Sequence, residues 1–116
     1  MDNNFNALLD FLTEHLTQRG FTIESSVKKN PDQLPVRNGY KPDLVATYKN
    51  VKTVYGKVEF PEDTSNVEQW ERLKALSRDS TVELYIVFPE EVKMQLVLAL
   101  INGKLSDKKN IIRLYR

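Results

Sequence analysis

Two carboxylates in strand-like surroundings are the residues of this chain best placed to do chemistry. Asp43 stands in Gly39-Tyr40-Lys41-Pro42-Asp43-Leu44-Val45-Ala46, and Glu59 follows sixteen residues later in Tyr55-Gly56-Lys57-Val58-Glu59-Phe60. Side chains alternate across a strand, so Asp43, Val45 and Thr47 share one face of the first segment, and Tyr55, Lys57 and Glu59 share one face of the second. If those faces coincide, two acids and an amine gather at one end of a sheet. Such a group suits metal-dependent phosphodiester hydrolysis, because Mg²⁺ is usually held by one or two carboxylates plus waters and substrate phosphate oxygens. Other chemistries are not supported. The chain has no cysteine and a single histidine, His15, which excludes disulfides, thiolate zinc sites and a histidine-rich metal site. No glycine-rich phosphate loop, Ser-His-Asp arrangement or zinc spacing is present.

The elements that must position these residues follow from periodicity. Phe5, Leu8, Leu9, Leu12 and Leu16 recur at helical spacing, with Asn3 or Asn4 available as a cap and Gly20 past the end, which predicts a helix over 4–19. Phe21, Ile23, Ser25 and Val27 alternate with polar residues as a strand would. Residues 28–39 carry Pro31, Pro35 and Asn38-Gly39 and read as a loop. Pro42 favours extended geometry before it and opens a strand over 43–48, and Lys49-Asn50 turns the chain into a second strand over 51–60, making a hairpin. Ser65 with Glu68 forms a capping box for a helix over 66–78, with Val67, Trp70, Leu73 and Leu76 as its apolar stripe. Residues 82–88 are almost continuously apolar, as a central strand is. Pro89 with Glu90 and Glu91 starts a helix running to about Ile101, and Ile111–Tyr115 is a terminal strand. The order αβββαβαβ implies an α/β fold, a mixed sheet of four or five strands flanked by helices, in a single domain over 1–116.

This order, together with Gly-Tyr-Lys-Pro-Asp-Leu-Val-Ala and an acid-bearing strand after a hairpin, resembles the PD-(D/E)xK nuclease superfamily, the restriction-endonuclease-like fold. The resemblance spans roughly Phe5 to Phe88. It implies that Asp43 and Glu59 hold Mg²⁺ or Mn²⁺, and that Lys57 positions or activates the attacking water. The family places its lysine two residues after the second acid, where this chain has Pro61. In the competing alignment Lys57-Val58-Glu59 overlies the family's Glu-x-Lys, with acid and base exchanged. A helix-borne acid often completes such a site, and Glu14 is the candidate. A polar residue on the helix after the acid strand is frequent, and Gln69 occupies that position.

Charge distribution bears on partners. The net charge is only +1, yet Lys28, Lys29, Arg37 and Lys41 cluster in the 28–41 loop, where they would track a nucleic-acid backbone. Residues 59–71 hold five carboxylates and no basic residue. Such a run attracts metal but repels phosphate unless an ion is bound. Three functions stay open: a degenerate, non-catalytic module binding DNA, RNA or protein; an active metal-dependent nuclease; and an unrelated small α/β protein that forms homodimers through the apolar helix at 90–101. No basic n-region opens the chain and its longest apolar run is six residues, Leu96–Ile101, so the expectation is a cytoplasmic protein without a membrane partner.

Overall fold

The computed structural model describes residues 3–36, 40–49, 51–59, 75, 78, 81–102 and 109–116. Helix α1 (Asn3–Gln18) leads into β1 (Thr22–Ser26), and a short 3-10 turn at Pro31–Gln33 precedes the β2 (Leu44–Tyr48) and β3 (Lys52–Val58) strands. After β4 (Val82–Phe88), a 3-10 turn at Glu90–Val92 runs into α2 (Lys93–Asn102), and β5 (Ile111–Tyr115) ends the chain. The fold is α/β with a mixed sheet. Its five strands lie in the order β1-β2-β3-β4-β5, antiparallel across β1-β2-β3 and parallel across β3-β4-β5. The expected helix over 66–78, with Gln69, Trp70 and Leu73, lies almost wholly outside the described residues, as does Arg37.

Two apolar clusters sandwich the sheet. On one face Leu8, Leu9, Leu12 and Leu16 of α1 pack on Leu44, Ala46, Val54, Val58, Tyr85 and Val87. On the other face Val92, Leu96 and Leu100 pack with Tyr40, Val45, Tyr55, Leu84 and Ile86. The strand β4 feeds both clusters, which explains why its sequence is apolar without alternation. Leu12, Val45, Val58, Leu84, Ile86 and Leu96 are all buried.

The end of α1 is fixed by a glycine. The Phe21 amide donates to the Leu16 carbonyl at 3.0 Å and the Gly20 amide to that of Thr17 at 3.1 Å, a Schellman closure. It requires Gly20 at φ 89°, in the left-handed region. Gly56 has a different role. A Cβ there would sit 2.6 Å from Leu12 Cδ2, so its absence lets α1 lie directly on β3. The strand bounds depart a little from expectation. The Asp43 side chain falls just before β2 rather than within it, β1 carries an irregularity between Ile23 and Ser25, and Pro89 is extended (φ −62°, ψ 139°), ahead of the helical residues.

Candidate functional site

The register of the β2-β3 hairpin determines how the candidate residues meet. Leu44 pairs with Gly56 and Val45 with Tyr55, and the Asp43 amide donates to the Gly56 carbonyl at 2.8 Å, so the residue directly across from Asp43 is Lys57. The two side chains share the face that Val45 and Tyr55 occupy, as alternation predicted. Lys57 Nζ lies 3.7 Å from Asp43 Oδ2, with the side chains 23% and 14% exposed. The same Oδ2 accepts a hydrogen bond from the Val58 amide at 2.9 Å. Asp43 thus ties the start of β2 to the end of β3 while its charge is offset by the amine opposite.

Glu59 continues the parallel pairing beyond β3, its amide donating to the Val87 carbonyl at 2.9 Å, and is only 2% exposed. Tyr40 completes the group. Its ring is buried among Val45, Tyr55 and the α2 side chains, and its hydroxyl has no hydrogen-bond partner among the described residues. Burial, then the charge of Glu59, then that of Asp43, hold this hydroxyl neutral well above the usual tyrosine range. Nothing in the spacing of the chain assigns Tyr40 a role. Its position in a Gly/Pro-rich stretch hides an aromatic that the fold carries inward, although its place three residues before Asp43 was a signal.

A metal-binding reading depends on the separation of the acids. Directly opposed residues have Cβ atoms about 4.5–5.5 Å apart, and diagonal ones about 7–8 Å. The close position to Asp43 is held by Lys57, and Glu59 sits two residues further along the strand. Mg²⁺ requires near-octahedral oxygens at about 2.0–2.1 Å and retains several waters. An ammonium facing Asp43 at 3.7 Å, with Glu59 enclosed, fits that requirement poorly. Among the described residues no group of three or more His, Asp or Glu side chains is placed to hold a metal ion.

The other candidates lie elsewhere. Glu14 on α1 accepts a hydrogen bond from Gln18 Nε2 at 3.2 Å and lines a cavity with Phe11, His15 and Arg116, on the sheet face opposite Asp43. His15 stacks beside Phe11 and Tyr85, and burial followed by the Arg19 charge lowers its pKa. Lys28 pairs with Asp10 at 2.8 Å, and Lys29 donates to the Ile23 carbonyl at 3.1 Å. Lys41 is exposed. The 28–41 cations are therefore partly engaged within the protein.

Comparison with known proteins gives no matching family model, and no significant match among curated proteins or among solved structures. Among the described residues no helix is long and apolar enough to cross a membrane.

Proposed function

We propose that this chain is a non-catalytic domain of PD-(D/E)xK-like architecture that serves as an interaction module, for nucleic acid or for protein, in the cytoplasm. The observation that carries the reading is the Lys57 ammonium facing Asp43 Oδ2 at 3.7 Å. An ammonium there competes with a divalent cation for the same carboxylate. A lysine that merely orients water would leave Asp43 open to the ion, whereas here the amine already faces its Oδ2. Support for the architecture comes from the antiparallel β1-β2-β3 run followed by a parallel β4, together with Asp43 and Glu59 at the same end of the sheet.

Mg²⁺ titration by calorimetry, on the wild type and on Lys57→Met, tests the proposal alongside nuclease assays on DNA and RNA. The expected result is weak metal binding by the wild type, tighter binding by the variant, and cleavage by neither. Metal-dependent cleavage by the wild type that Lys57→Met abolishes would overturn the reading in favour of an active nuclease using Mg²⁺ or Mn²⁺.

A second reading, self-association, is favoured by α2. Met94, Leu98 and Ile101 recur at i, i+4 and i+7 and are 68%, 52% and 50% exposed. Equilibrium sedimentation decides it: a monomer at high concentration removes the homodimer.

A further inference from the structure

The opposite end of the same hairpin carries a second arrangement. Tyr48, the last residue of β2, pairs with Lys52, the first of β3, and Lys49 between them adopts φ 50° in a turn closed by the Val51 amide donating to the Tyr48 carbonyl at 3.0 Å. The Schellman closure of α1 delivers Phe21 to the same place. Its ring centroid lies 5.4 Å from that of Tyr48 with the planes inclined at 50°. A Cβ on Gly20 would stand 3.3 Å from the Tyr48 ring edge, so the glycine that ends the helix also lets this ring lie against the backbone.

Around the two rings stand three cations. Lys49 Nζ is 5.2 Å from the Tyr48 ring centroid, and Arg19 and Lys52 line a cavity of about 280 Å³ with Phe21, Tyr48, Glu83 and Tyr85. The carboxylate of Glu83 is engaged by Lys52, which leaves Arg19 and Lys49 as the excess positive charge at the mouth. This cavity is smaller than the roughly 300–1,000 Å³ of clefts that enclose a whole drug-sized ligand and its open lining is mostly polar, so it suits a small charged group whose remainder lies outside against the rings.

We propose that this end of the hairpin binds single-stranded nucleic acid, with a base stacked against Phe21 and Tyr48 and the flanking phosphates on Arg19 and Lys49. Each element has a physical reason. Every base presents a π face, base–aromatic stacking tolerates any sequence, and cations alongside follow the backbone. A duplex keeps its bases stacked on each other and offers no face to the rings. The surface is distinct from the 28–41 loop and far from Asp43, so the strand would not approach the acid cluster with its like charge. The proposal names the partner of the interaction module, and it stands or falls separately from the metal titration, which concerns only the other end of the hairpin.

Fluorescence anisotropy with labelled oligo-dT and oligo-U, and with a duplex of equal length, is the test. The wild type is expected to bind the single strands more tightly than the duplex. Arg19→Glu/Lys49→Glu, at two exposed positions, is expected to weaken binding tenfold or more and to reduce the salt slope by about 1.4, the value for two phosphate contacts on a single strand. Tyr48→Leu should weaken it about fivefold or more, the lower end of what one stacked base contributes, while Tyr48→Phe, which keeps the ring, binds as the wild type does. Lys41→Glu should leave binding unchanged. Thermal melts establish that each variant is folded, and the double charge reversal decides the matter should Tyr48→Leu fail to fold. No single-strand binding at low salt, a preference for the duplex, or a loss on Lys41→Glu that the double variant does not share would each overturn the proposal.

Discussion

The two ends of the β2-β3 hairpin hold similar residue types in opposite settings. At the open end Asp43, Lys57, Glu59 and Tyr40 are enclosed between strands and the α2 side of the core. At the turn end Lys49 and Lys52 project from the surface beside Tyr48. Enclosure makes a charge expensive unless it is matched, and Asp43 at the open end is matched by the Lys57 ammonium and the Val58 amide. Exposure screens a charge and leaves it available to a partner. One hairpin thus separates an enclosed cluster from an exposed one, and the difference is burial rather than residue type.

The comparison can be broken most sharply with matched lysine substitutions. Lys57→Met should destabilise by about 2 to 3 kcal/mol, somewhat below the roughly 3–5 kcal/mol of a fully enclosed broken pair, because the partners are 23% and 14% exposed. Lys52→Met, which removes a pair whose lysine and Glu83 are 47% and 21% exposed, should lower the melting temperature clearly less. Equal losses in chemical denaturation would mean that the two ends do not differ as described. Next in size is the hairpin's middle. Gly56→Ala should cost about 1–2 kcal/mol, since its Cβ would meet Leu12 Cδ2 at 2.6 Å in a fully buried setting where the leucine can yield only in part. A neutral result would show that α1 shifts freely on β3.

The smallest effect concerns Tyr40. Tyr40→Phe removes a buried hydroxyl without a partner among the described residues and should be neutral or stabilising by up to about 1 kcal/mol. Because its folded pKa is raised, the tyrosine's contribution is fully present below the unfolded value near 10 and is lost as pH rises above it. Unfolding followed across the alkaline range should therefore begin at higher pH in Tyr40→Phe. An unchanged alkaline limb would exclude Tyr40 as its source.

Much of this architecture is written locally. The apolar spacing of α1, the nearly unbroken run of β4 and the β5 residues all gave their elements, because each needs only an apolar face or run and a stop signal. Alternation also placed Asp43, Lys57 and Glu59 on a common face. Which of them stand opposite one another was not legible, because register depends on how the Lys49 turn closes, and a change of one residue would exchange faces. The burial of Tyr40 and the meeting of Phe21 with Tyr48 were hidden for a related reason. Both depend on where a loop and a helix end arrive in space, and residues 21 and 48 are brought together by the β1-β2 pairing rather than by any spacing along the chain.

The strand order carries a kinetic consequence. Every strand lies beside the one that follows it in the chain, so the sheet can assemble by successive addition, with no pairing waiting on a strand from elsewhere. The hairpin closes over the shortest connection, within the roughly 1–10 μs typical of such turns, whereas β3-β4 and β4-β5 must first gather residues 59–81 and 89–110. Hairpin contacts should then already be present at the folding barrier and β5 contacts should form after it. Stopped-flow refolding of Val54→Ala should show mainly slower folding, and that of Ile111→Val mainly faster unfolding, with the reverse pattern placing nucleation at the β5 edge.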